Sequence, residues 1–135
     1  MTSVGRAYFA QQYPGLDIPE ADFAGLERQA RRFVDYCTFN RIDEDRLSLS
    51  VVDDIKDAVC ALMAYSFTEA QDKADQMADR RVSSETVGGH TVSYKYGDEI
   101  ANRYRQAYEK DGQSELYKIV KVYLGHTGLM YRGVV

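Results

Sequence analysis

Tryptophan is absent from this chain of 135 residues, and cysteine, proline and histidine occur only twice each. Two cysteines cannot make a disulfide framework. Cys37 and Cys60 fall on apolar stripes of predicted helices, where buried free thiols are expected; this suits a reducing compartment. With both cysteines inside helices, and His90 and His126 far apart in the chain, no zinc-ligand spacing is found. No apolar run approaches the roughly 20 residues that cross a bilayer, so no membrane partner is expected. Met1 to Arg6 contains no basic region followed by an apolar core, and no signal peptide is expected. Also missing are a glycine-rich phosphate loop, a Gly-x-Ser-x-Gly elbow and a His-Glu-x-x-His helix. Asp53, Asp54 and Asp57 are close enough to suggest a cation site, but acidic charge near a helix start needs no metal. Glu85 and His90 could face each other as base and acid, yet nothing near them supplies a nucleophile or an oxyanion donor. The reading is therefore non-enzymatic, with no catalytic residue, no metal and no cofactor.

What remains is the composition of one folded domain: 44% hydrophobic and 28% charged residues, in a length that fits a single core. On folding, such a chain buries roughly 65% of its unfolded surface. The net charge of -4 gives no general attraction for nucleic acid or anionic lipid. Acidic side chains outnumber basic ones in residues 1–45 and 46–90, whereas residues 91–135 are net basic. That last third is the better candidate to meet an acidic partner, but the imbalance is small and a solvated surface explains it better.

Residues 1–16 carry Tyr8, Phe9 and Tyr13 without a clear period and read as an N-terminal arm. Residues 17–125 read as the main helical domain. Asp17 and Glu20 have capping-box spacing, with Pro19 in the first turn. Phe23, Leu26, Ala30, Phe33, Val34 and Cys37 then recur as one helical stripe ending near Phe39, and Glu27 and Arg31 can pair on the other face. A second helix is predicted to start near Ser48 or Ser50, with Ile55, Ala58, Val59, Leu62, Met63 and Ser66 on its small and apolar face. It either runs unusually long, to about Ala78, or breaks near Phe67-Thr68.

A change of period follows. Gly88-Gly89 can form a tight primed turn, and Val92, Tyr94 and Tyr96 alternate with Thr91, Ser93 and Lys95. A β-hairpin is therefore predicted at about residues 82–96. Two-stranded hairpins are marginal alone, so this one would need covering by helices or by another chain. Two further helices are predicted: one from Ile100, Tyr104, Ala107 and Tyr108, the other from Leu116, Ile119, Val120, Tyr123 and Leu124 with Gly125 as C-cap. The β-branched run from Ile119 to Val122 would also suit a strand, but the stripe favours a helix. Residues 126–135 read as a C-terminal docking tail, aperiodic yet retaining Leu129, Met130, Tyr131, Val134 and Val135. The expected fold is thus mainly α: a small bundle of about four helices with an inserted hairpin.

Tyrosine is the abundant aromatic, with 11 copies. Aromatic rings with a polar tip favour protein interfaces; base stacking would need a basic groove that is not evident. A tyrosine-rich core accounts for several of them. Tyr94 and Tyr96 of the hairpin, together with Leu129, Met130, Tyr131 and Arg132 of the tail, are the candidate interface residues, with Gly88 and Gly89 as the turn.

The segment Ser84-Glu85-Thr86-Val87-Gly88-Gly89-His90-Thr91-Val92-Ser93-Tyr94 resembles the Ser-Glu-x-Val-Gly-x-x-(Ser/Thr)-Val-Ser-Tyr pattern of head–tail connector proteins, the head-completion adaptors of tailed bacteriophages and prophages. Its context is similar too: two preceding helices, the second carrying Val59 and Cys60, then a helix around Leu116-Tyr117 and an ending from Leu124 to Val134. The likeness covers about residues 15–134. It implies a structural adaptor at the virion head–tail junction, assembled in the host cytoplasm. Copies would form a ring on the portal protein after DNA packaging and offer a docking surface to a head-closure or tail-terminator protein. Packaged DNA would pass through without specific binding, and neither catalysis nor a cofactor is implied. The alternatives are a head-closure or tail-terminator component itself, and a small non-enzymatic regulatory or nucleic-acid-binding protein. Gene position between capsid and tail genes would favour the connector.

Overall fold

A computed structural model describes residues 4–43, 45–80, 90–110 and 114–130, with side chains described outside 73–99. Among these residues the chain forms five α-helices and a closing 3-10 turn: α1 (Arg6–Gln12), α2 (Glu20–Cys37), α3 (Leu49–Arg80), α4 (His90–Glu109), α5 (Glu115–Leu124) and η1 (Gly125–Thr127). The long helix is the axis of assembly. α3 has 32 residues, about 48 Å at 1.5 Å per residue, and α1, α2, α4 and α5 all pack on it.

The apolar stripes meet as their periods require. Phe23, Leu26, Ala30, Phe33, Val34 and Cys37 of α2 face Ile55, Ala58, Val59, Cys60, Leu62 and Met63 of α3 in one core. α4 adds Ile100, Tyr104 and Ala107, and α5 adds Leu116, Val120 and Leu124. α3 runs through Phe67-Thr68 without a break. Its start is capped by Ser48, whose hydroxyl accepts the Val51 N–H at 3.4 Å. Ser114 caps α5 in the same way, accepting from Tyr117 N–H at 3.1 Å. Asp17 and Glu20 form no capping box: Pro19 occupies the cap position, without a side-chain cap bond.

The hairpin expected at about 82–96 is not formed. Residues 90–96, its second arm, are the opening turns of α4, and no strand occurs among the described residues; residues 81–89, with Gly88 and Gly89, lie outside them. The alternation of Val92, Tyr94 and Tyr96 concealed a second period. Val92, Tyr96, Ile100, Tyr104 and Tyr108 are each four residues apart, in register with the stripe that buries Ile100 and Tyr104. A helix of 20 residues satisfies its backbone internally, which a lone two-stranded ribbon does poorly.

The N-terminal arm is also more structured than its aperiodic sequence implies. α1 buries Phe9, whose ring meets Phe23 edge-on at 5.7 Å. Arg6 bonds the Ile18 carbonyl at 3.2 Å and lies 5.5 Å from the centre of the Phe23 ring. Val4 N–H donates to Glu27 Oε2 at 3.1 Å. The expected Glu27–Arg31 pair forms at 3.3 Å, but Glu27 is buried because it also receives the arm.

The end of α2 carries backbone strain. Asn40 N–H reaches Asp35 O at 2.8 Å and Phe39 N–H reaches Tyr36 O at 3.2 Å, the paired closure of a Schellman turn. Glycine usually occupies its left-handed position; here Phe39 does so, at φ 57, followed by Asn40 at φ 56. A bulky residue in that region is an outlier. Phe39→Gly is expected to raise unfolding stability by about 0.5–1 kcal/mol, read from denaturant melts. A clear loss would mean that ring packing outweighs the strain. By contrast, Gly125 is right-handed at φ -60 and does not end its helix as a left-handed cap. The chain tightens into η1, and Gly128, at φ 82, makes the left-handed turn.

Candidate interaction surface

Two of the three aspartates near the start of α3 bind the chain's two ends. Asp57 accepts the Tyr8 hydroxyl at 2.7 Å, while Lys56 lies 5.4 Å from the centre of the same ring. Asp54 meets His126 Nε2 at 3.1 Å. α1 and η1 are thereby held against the N-terminal half of α3. Among the described residues no group of three or more His, Cys, Asp or Glu side chains could hold a metal ion. His90 opens α4, and Glu85 lies outside the described residues.

Of the expected interface residues, only Leu129 and Met130 have described side chains. Positions 94 and 96 lie two apart on the helix α4, and residues so spaced do not share a face. Leu129 is buried and belongs to the core, with Met130 packed against it. Thr127 holds this turn: its hydroxyl donates to Leu124 O at 2.7 Å and accepts the Leu129 N–H at 3.2 Å. Tyr131 and Arg132 lie outside the described residues.

Two other surfaces emerge. The first is an open groove over α3, lined by Tyr13, Pro14, Leu16, Ala61, Ala64, Tyr65, Thr68 and Glu69. Tyr13 stacks on Phe9 at 5.4 Å between ring centres. Burial, with the adjacent Tyr123 phenol, pushes the Tyr13 hydroxyl up to about 12.

The second lies at the C-terminal end of α2. Phe33 is fully buried and Tyr108 meets its ring edge-on at 5.4 Å. Tyr36 packs edge-on to the same Tyr108 at 4.9 Å, yet stays 44% exposed, with Phe39 42% exposed beside it. The Arg41 guanidinium sits 5.1 Å from the centre of the Phe39 ring. Arg28, Arg32 and Tyr36 follow at four-residue spacing on the helix, all exposed. The four-residue spacing of Arg28, Arg32 and Tyr36 is the part of this surface that the sequence displays.

The buried thiols give the core a pH signature. Burial pushes Cys37 up to about 12, and burial with Asp57 and Glu27 nearby does the same to Cys60. A pKa raised by folding favours the protonated form. The associated stability is therefore complete below the ordinary thiol value of 9.0 and is lost as pH rises toward about 12. Tyr13 acts in the same direction from 10.0 to about 12. Unfolding midpoints are expected to fall across this alkaline window, with both thiols inert to alkylation in the folded protein at neutral pH. Native thiols alkylating as fast as free cysteine would contradict the burial.

Comparison of the chain with protein-family models, with curated proteins and with solved structures finds no match in any of the three.

Proposed function

We propose that this chain is a non-enzymatic head–tail connector of a tailed bacteriophage or prophage, a subunit that rings the portal after DNA packaging and docks the next neck or tail component. The observation that carries the reading is the resemblance of the Ser84–Tyr94 segment to the connector pattern, in the right order with the helices before it and the Leu124 to Val134 ending after it. Two physical features support it. The chain has one hydrophobic core, and Tyr8, Tyr13, Tyr65, Tyr117 and Tyr123 pack half-buried against it, the residue type favoured at protein contacts. Its net charge of -4 is compatible with lining a path that DNA traverses without sticking.

Deleting the gene tests this directly. Heads are expected to fill with DNA and remain tailless, and added purified chain to restore tail attachment. Deletion that leaves normal tailed particles contradicts the proposal. Duplex DNA is expected to bind the isolated chain neither tightly nor sequence-specifically, because few phosphates can be neutralised. Submicromolar binding at physiological salt with a steep salt slope, measured by fluorescence anisotropy, would favour the nucleic-acid-binding alternative.

A further inference from the structure

We propose that the C-terminal end of α2 is a docking site for an acidic protein segment, with Phe39 as its apolar anchor and Arg32 and Arg41 as its carboxylate-binding groups. The inference stands apart from the connector reading and uses none of the residues on which that reading depends.

Charge defines the occupant. Among the described residues Arg31 pairs with Glu27, Arg46 with Asp43 and Arg103 with Glu69, whereas Arg32 and Arg41 have no carboxylate within ion-pair distance. Both are exposed, in a chain whose net charge is -4. The carboxylate of this helix end, Asp35, is half-buried with Arg31 beside it. Two unpaired guanidinium groups beside exposed rings, Arg41 over Phe39 and Arg32 one turn before Tyr36 on the helix, complement a segment carrying carboxylates and apolar side chains, since Arg and aromatic residues together dominate the energetics of protein contacts.

The backbone supplies a second argument. Phe39 holds a left-handed conformation that glycine would adopt without strain, and its ring is spent largely on solvent and on Arg41. Its base is rigid: Tyr36 is clamped against Tyr108, and Tyr108 against the buried Phe33. An anchor held this way loses little freedom when it is covered. Nucleic acid is the less favoured occupant, because two arginines form no groove that tracks a phosphate backbone.

Phe39→Gly is the decisive variant, because it removes the ring while relieving the backbone. The probe is a short peptide of alternating glutamate and leucine, titrated into the full chain and followed by NMR. Shifts are expected to concentrate at Arg32, Tyr36, Phe39 and Arg41 and to weaken with salt. Affinity should fall about tenfold in both Phe39→Gly and Arg32→Glu, with Phe39→Gly still cooperatively folded. A peptide of alternating lysine and leucine should leave the patch unperturbed. The proposal is overturned if millimolar acidic peptide leaves these signals unmoved, if both variants bind as the parent does, or if a single-stranded oligonucleotide occupies the patch more tightly. It is also overturned if Phe39→Gly abolishes a concentration-dependent self-association, which would make a second copy the occupant.

Discussion

Phe33→Ala is expected to cost about 3–5 kcal/mol of unfolding free energy, the largest loss from any single truncation in the bundle. Phe33 is completely buried and meets two rings of α4, Tyr104 at 5.7 Å and Tyr108 at 5.4 Å, both edge-on. Removing it deletes the transfer free energy of a phenyl group, opens a cavity that helices on three sides cannot easily collapse, and forfeits two oriented ring contacts. Against a total stability of about 5–15 kcal/mol for a domain of this kind, the variant should be barely folded at physiological temperature. Tyr36→Ala makes the contrast: its ring is 44% exposed, so the loss should stay near 1 kcal/mol. Chemical denaturation of the two variants checks both. A Phe33→Ala loss below 1 kcal/mol would mean that α2 is not seated on α4 as described.

The C-terminal end gives the second large effect, in two parts. Ending the chain after Thr127 removes Leu129, which is 9% exposed, and Met130, which packs against the core. Burial of a leucine is worth about 1.5–3 kcal/mol, so this truncation should lower stability by about 2–4 kcal/mol. Ending the chain after Met130 leaves both residues and the Thr127 turn in place. Its melting midpoint should move little, and if Tyr131, Arg132 and the residues after them form the docking tail, portal attachment is lost. The pair separates a segment that covers its own core from one that reaches a partner. Equal destabilisation by both truncations would make the whole tail part of the core; full portal binding by the longer one would remove the docking role.

Helical stripes were the most legible part of this sequence, because burial and period coincide. Phe23 to Cys37 and Ile55 to Ser66 were readable in full, and the polar continuation of α3 past Phe67 was one of two readings that only the packed helix resolved. The hairpin was misread because six residues of alternation satisfy period two, while the four-residue series from Val92 to Tyr108 requires seventeen residues to be seen. α1 was invisible because a helix of 7 residues is too short to show a period, and its place depends on tertiary anchors: Phe9 on Phe23, and Tyr8 on Asp57. The aspartates show the same limit. Local rules accounted for them as charge near a helix start, but Asp54 and Asp57 are used by residues 72 and 49 positions away. Leu129 and Met130 looked spare because the α5 stripe was already complete, yet Gly128 turns them back onto it. Phe39 could not have been singled out, since a left-handed φ leaves no mark in composition.

The most direct test of the adaptor reading is reconstitution with the cognate portal. Purified chain would be mixed with DNA-filled heads, the heads sedimented, and the pellet imaged by electron microscopy. A portal adaptor predicts that the chain pellets in saturable amounts and appears as a closed ring of copies on the outer face of the portal, and that such heads then accept tails. A chain that stays in the supernatant, alongside heads that accept tails equally well without it, would contradict the account.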